Sequence, residues 1–295
     1  MSGTRDSGYS LRPTAQLRRR KLVNLAMEGI GAAAALVGVA VLGLVVWAVA
    51  KRGAAALNKD FFTDVPATFG ETGGGIANSI VGSIVIVLVA TAFAMPFGVL
   101  VGIYLNEIAG QRVTRLVSLV LDVLNGLPAI VIGIFVYGLL VIGSGHAAWK
   151  ASFALAIIML PLVARSTQEV LRLVPEALRE GSTALGVARW RTTVGVVMPT
   201  VLGGILTGAT LAVARAAGET APLLFTCSVT TSQVSWQPTE ALQSIPLTIF
   251  QFLESPNPDD HAKAWAASLV LMTFVLVLSL LSKALLARSR RKLSR

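Results

Sequence analysis

The sequence predicts an all-α integral membrane fold of about six transmembrane helices, and three observations carry that prediction. Six long apolar runs follow one another at roughly 23–50, 77–105, 116–142, 151–173, 200–225 and 264–287. Each matches the ~20 residues that a helix needs to cross the hydrocarbon core. Charged residues make up only 14% of the chain against 54% hydrophobic ones, whereas soluble domains carry about 25% charge. The basic residues gather between and beyond the apolar runs, as in the flanks of membrane spans.

The first run follows a polar, basic stretch at 1–22 that holds Arg18, Arg19, Arg20 and Lys21. No small-residue cleavage site closes it, so it reads as a retained first span. The second run contains Pro96 and the third Gly126 and Pro128; kinks there are tolerated where neighbours re-satisfy the freed carbonyls. Gly98 with Gly102, and Gly204 with Gly208, have the small-xxx-small spacing that lets helices approach closely. The sixth run ends in a basic tail at 288–295. The expected organisation is therefore a six-helix membrane domain over 23–287 between two basic tails.

Lysine and arginine bias sets the orientation. The N-terminal tail, the 106–115 connection (Arg112, Arg115), the 171–199 connection (Arg172, Arg179, Arg189, Arg191) and the C-terminal tail are basic. With six spans all four fall on one side, which is expected to be cytoplasmic. The 226–262 connection on the other side carries Glu240, Glu254, Asp259 and Asp260 and no lysine or arginine. Lys51, Arg52 and Lys59 run against this bias and are outweighed. The net charge of +10 is thereby explained by the basic flanks of the spans, with no need of a nucleic acid, and contact of the basic tail with anionic lipid heads is a minor effect.

One apolar run breaks the pattern. LTGATLAVARAAGETAPLLF carries Arg215 and Glu219, and each charge at mid-bilayer depth costs about 2.5–3.5 kcal/mol on insertion scales. Four residues apart on a helix, they lie about 6 Å apart along one face. They either form an ion pair that only fixes packing or line a polar path. Arg165, near the end of the fourth run, either lines the same path or snorkels to the interface. Thr220, Thr207 and Thr210 could add hydroxyl donors, although membrane threonines more often bond their own backbone. Asp122 carries no assigned role.

The connection between the fourth and fifth runs is far longer than most and is not low in complexity. Pro175 signals a helix start, Glu176 to Leu185 have helical propensity, and Gly186 ends the helix. A basic amphipathic stretch from Val187 then leads to Pro199. Such a short helix either lies in the lipid interface or docks a soluble partner.

The run from Glu180 through Gly186 to Val196, Val197, Met198 and Pro199 resembles the EAA loop of ABC-importer permeases, with Gly181 and Ser182 where two alanines usually stand. ARAAGETAPLLFT at 214–226, GGGIANSIVGS at 73–83, GIYLNE at 102–107, LPAIVIGIFVYG at 127–138, RSTQEVLRLVP at 165–175 and PLTIFQF at 246–252 are together similar to the PstA-type permeases of bacterial phosphate importers. That resemblance runs from about residue 20 to 290. It implies the type I (MetI-like) importer-permease architecture and a bacterial inner-membrane location with both termini cytoplasmic. It also implies half of an alternating-access pathway for phosphate, completed by a second homologous permease subunit. The other implied partners are an extracytoplasmic phosphate-binding protein and a cytoplasmic dimer of ATP-binding subunits, which would hold ATP and magnesium. Glu180, Gly181, Ser182, Ala184, Leu185 and Gly186 would then meet the ATPase. Arg215, Glu219, Arg165 and Thr220 would lie on the substrate pathway, since arginine offers oxyanions a bidentate fork.

No catalytic constellation accompanies these residues. Cys227 is the only cysteine, His146 and His261 lack metal-ligand spacing, and no lysine follows a glycine as a phosphate-binding loop requires. GETGGG at 70–75 precedes a membrane helix and reads as a flexible connection. The chain is expected to bind no cofactor and to leave ATP hydrolysis to a partner. A self-sufficient ion-coupled secondary transporter or channel is the alternative; no inverted repeat supports it. The topology is checked with cysteine probes: an impermeant reagent added outside should reach position 255 and miss position 182, and labelling at 182 in intact cells would invert the assignment.

Overall fold

The computed structural model describes residues 15–67, 73–228 and 233–293. Most of the basic N-terminal tail, Gly70, Glu71 and Thr72 of the glycine-rich run, and the last two residues lie outside these. The described residues are helical, with one isolated bridge between Pro66 and Gly74. They fall into two compact units, residues 1–51 and 52–295.

The first unit is a helix, α1 (Ala15–Gly53), which runs on past its boundary. No charge falls between Gly29 and Ala50, a length of about 33 Å that matches the hydrocarbon core. Its leucines and valines, such as Leu36, Val39 and Leu42, are exposed along that stretch, as suits a helix solvated by lipid.

The second unit opens with α2 (Lys59–Thr63), where the Asn58 side chain accepts the Phe61 amide at 2.7 Å as an N-cap. Then comes α3 (Ala77–Ile103), prolonged by a π turn over Tyr104–Ile108. The predicted third span is not one helix. It is α4 (Gln111–Gly126) and α5 (Ala129–Val136), bent by 96° at the break. The cause is Pro128, which denies Leu127 the helical region and leaves it at φ −68°, ψ 137°. Pro96 and Pro161, by contrast, lie inside continuous helices.

Next come α6 (Ala148–Arg172), α7 (Glu176–Ala184), α8 (Arg189–Thr192) and α9 (Met198–Ala217). A π turn over Thr193–Val197 joins α8 to α9. The fifth span thus starts earlier than predicted, at Arg189, and stops at Ala217 rather than 225. The wide π turn lets the helix pass Pro199, whose ring would clash with a regular preceding turn. At the other end Gly218 ends the helix and a short α10 (Leu223–Thr226) follows. The connection to the last span contains an unforeseen helix, α11 (Ile245–Glu254), about 15 Å long. It buries Ile245, Leu247, Thr248 and Phe252. The last element is α12 (Pro258–Leu293).

In this unit α6 is the central mast, with α3 and α9 against it. An added Cβ at Gly98 would stand 2.8 Å from Val163 Cβ, and one at Gly102 2.8 Å from the Ala164 carbonyl. At Gly204 it would meet Val170 Cγ1 at 2.5 Å, and at Gly208 it would strike Ser166. Both glycine pairs are thus helix contacts, as their spacing predicted. Gly102→Val should lower stability by about 1–3 kcal/mol, read as a lower melting temperature in detergent; unchanged melting would mean that α3 has room to withdraw from α6.

Candidate functional site: a docking helix and a series of arginines

Pro175, at φ −57° and ψ 137°, starts α7, and Gly186, at φ +76°, ends it. The Val187 amide donates to the Ser182 carbonyl at 3.2 Å and the Gly186 amide to the Thr183 carbonyl at 2.9 Å, the paired bonds of a Schellman cap. Gly186 therefore occupies the left-handed region that its type favours. Glu180, Gly181, Ala184, Leu185 and Gly186 are exposed, with Leu185 at 84% and Leu178 at 43%. Ser182 differs: its hydroxyl turns inward to Thr192 at 2.8 Å and ties α7 to α8.

Arg179, counted above only among the basic residues of this connection, also turns inward. Its guanidinium is bidentate to Glu107 of the π turn after α3, Nη2 to Oε1 at 2.9 Å and Nε to Oε2 at 3.3 Å. It also donates to the carbonyls of Leu171 at 3.0 Å and Val174 at 2.9 Å, at the end of α6. One side chain thus holds α7 to the ends of both α3 and α6 and satisfies carbonyls that a helix terminus leaves open. Glu107 is 10% exposed. The sequence signal was present in GIYLNE, but nothing in it named the partner.

The predicted pathway arginines fall into two states. Arg215 is in the last turn of α9, and Glu219 lies past the helix end, yet Arg215 Nε still donates to Glu219 Oε1 at 3.3 Å. The two Nη groups of Arg215 carry no other bond among the described residues, and its side chain is 48% exposed. Thr220 is partly buried in the next turn, where its carbonyl accepts the amides of Leu223 and Leu224, each at 3.1 Å. Thr207 and Thr210 bond back to carbonyls of their own helix.

Arg165 is held by α4 and its own helix. Its guanidinium meets Asp122 Oδ1 at 2.5 Å, the Ser118 carbonyl at 2.8 Å, Gln168 Oε1 at 3.1 Å and Ser118 Oγ at 3.4 Å. Asp122 thus acquires a partner that the sequence did not reveal. Depth follows from packing. Gly204 against Val170 and Gly208 against Ser166 set an antiparallel register between α9 and α6. Carried along α9, that register brings Arg215 level with Met159, which clusters with Ala212 and Ala216 near the middle of α6. Arg165 lies about 9 Å further toward the α7 end.

Residues 94–293 match the family described as binding-protein-dependent transport system inner membrane component. The chain belongs to that family. It is 37% identical over 266 residues to the phosphate transport system permease protein PstA of Haemophilus influenzae, covering 90% of this chain and 94% of that one. With the protein of the same name from Xylella fastidiosa it shares 38% over 278 residues, 92% and 96% of the two chains. With PstA 1 of Mycobacterium tuberculosis it shares 36% over 224 residues, 75% and 73%. The inward-facing MetNI methionine ABC transporter has the same fold, with a TM-score of 0.61 at 18% identity over 72% of this chain and 95% of that chain.

The chain is therefore a multi-pass permease subunit of a bacterial binding-protein-dependent transporter, with MetI-like architecture. The described residues of this permease contain no group of three or more histidine, cysteine, aspartate or glutamate side chains that could hold a metal. Its site offers open guanidinium donors, which suit oxyanions, and a side-chain clamp between α7 and the ends of α3 and α6. Arg179→Gln should free α7, seen as faster amide hydrogen exchange over 176–184 and a loss of about 1–3 kcal/mol, since Glu107 would keep only the Asn106 side-chain amide at 2.8 Å. Adding Glu107→Gln should recover part of that loss; exchange equal to wild type in Arg179→Gln would show the clamp to be idle.

Proposed function

We propose that this permease forms half of the translocation pathway of an ATP-driven importer of inorganic phosphate. The observation that carries the substrate is Arg215: a guanidinium level with the middle of α6 whose two Nη groups are free among the described residues. Such a fork matches two oxygens of a phosphate. The names of the relatives, phosphate transport system permease proteins, support the same substrate. Glu219 repels the anion, so its role is to balance Arg215 when the path is empty.

In this reading the pathway is completed by a second, homologous permease subunit, and substrate arrives from an extracytoplasmic phosphate-binding protein. The exposed face of α7, with Glu180, Gly181, Ala184, Leu185 and Gly186, seats in a cytoplasmic ATPase dimer that carries ATP and magnesium. The permease itself is not a catalyst. Both termini and the 171–199 segment are cytoplasmic, consistent with the basic residues on that side.

Arg215→Gln should abolish phosphate uptake in a complex that still assembles and still receives phosphate-loaded binding protein. Arg215→Lys should rescue only in part, because an ammonium keeps the charge without the fork. Arg215→Gln leaves Glu219, whose side chain is 19% exposed, without its guanidinium partner, and Glu219→Gln removes that charge. The double variant Arg215→Gln/Glu219→Gln should therefore assemble as well as wild type and remain transport-dead. Wild-type uptake by the double variant would reduce Arg215 to a packing device.

A further inference from the structure

Between α4 and α6 lies an open groove of about 540 Å³. Arg115 and Arg172 line it, as do Thr114 and Ser118, together with the Arg165–Asp122 bridge. Three guanidinium groups meet one carboxylate there, and that carboxylate is taken by Arg165 at 2.5 Å. Arg165 is itself filled by Ser118 and Gln168. Arg115 and Arg172 make neither a hydrogen bond nor an ion pair among the described residues. Two planar forks therefore face a cavity with no anion assigned to them.

The backbone adds to the imbalance. α4 begins beside this groove with no side-chain cap and no acidic residue in its first turn, and Arg112 and Arg115 follow within five residues. Cations are disfavoured at the positive end of a helix. Glu176 and Glu180 share a separate cavity with Arg172, beneath α7, which Glu107 also lines while bound to Arg179. None of the three lines the α4–α6 groove.

We propose that this groove is a binding site for a phosphate-class oxyanion at the mouth of the pathway, held by the forks of Arg115 and Arg172 and closed inward by the Arg165–Asp122 bridge. Its position follows the arginine series: Arg172 lies seven residues, about 10 Å, beyond Arg165 along α6. The occupant is either inorganic phosphate leaving the path or the phosphate of an anionic lipid head. The first source rests on the translocation reading above, and the second does not.

The test uses the assembled transporter in nanodiscs of phosphatidylcholine alone, without binding protein or nucleotide, titrated with radiolabelled inorganic phosphate. Saturable binding should weaken by about tenfold or more in Arg115→Gln/Arg172→Gln, which removes two charge-assisted forks. It should persist in Arg215→Gln. Arg172→Lys, which keeps the charge, should bind with intermediate strength and controls for a folding defect. If the lipid is the occupant, these discs take up no phosphate, and native mass spectrometry of discs containing phosphatidylglycerol shows that lipid retained by the wild type and lost from the double variant. Retention of neither ligand, or equal binding by wild type and double variant, overturns the site. Groove binding together with normal uptake by Arg215→Gln would sink the translocation reading and leave the groove standing.

Discussion

Close approach of α3 and α9 to α6 is the constraint on which the second unit depends. Apolar helices gain nothing by leaving lipid for one another, so their association rests on shape and on hydrogen bonds. Gly98 and Gly102 on one side and Gly204 and Gly208 on the other remove the side chains that would hold the backbones apart. Polar pairs close the end of α3 where α11 docks: Asn78 with Gln243 at 3.1 Å, Ser79 with Thr248 at 2.6 Å, and the Ile245 amide on Ser83 at 2.7 Å. With those faces of α6 occupied, Arg165, Glu169 and Arg172 remain along a stripe that is not buried. Packing thus decides where polar chemistry can be presented.

The α7 end of the mast is tied to its neighbours by a single side chain. Arg179 joins α7 to Glu107 after α3 and to the last carbonyls of α6, the two helices that the glycines pack most closely. One guanidinium therefore ties α7 to both helices. The exposed Leu185 and Glu180 face is free for a partner because the inward residues, Arg179 and Ser182, already carry the attachment.

Much of this could be read from the sequence, and the failures have physical causes. Long apolar runs located the spans, because the bilayer admits few alternatives. Gly186 was legible as a helix stop, because a positive φ is a local demand that few other residues meet. The break at Leu127 was not, because proline alone does not fix the outcome: Pro96 and Pro161 pass inside helices, and Pro128 divides one. The inward turn of Arg179 and the pairing of Asp122 with Arg165 depend on partners 72 and 43 residues away in sequence, which no local pattern encodes. α11 escaped because ten residues are too few for a span, although its apolar PLTIFQF was visible.

The contrast between Arg165 and Arg215 is where packing, helix ends and chemistry meet. A guanidinium that takes up and releases an oxyanion must keep donors open, and Arg165 spends its two Nη groups on four acceptors drawn from α4 and α6. Those bonds join the two helices, and the Arg165–Asp122 bridge lines the groove between them. Arg215 gives only its Nε, to a single carboxylate. Because α9 stops at Ala217, that carboxylate sits on a turn outside the helix. The backbone of Glu219 is thus held by a turn, its amide on the Ala216 carbonyl at 3.2 Å, while Arg215 rises from a helix whose Ala212 and Ala216 are buried beside it. Had the helix continued to residue 225, both charges would have stood one turn apart on the same face, the arrangement in which such pairs form most readily.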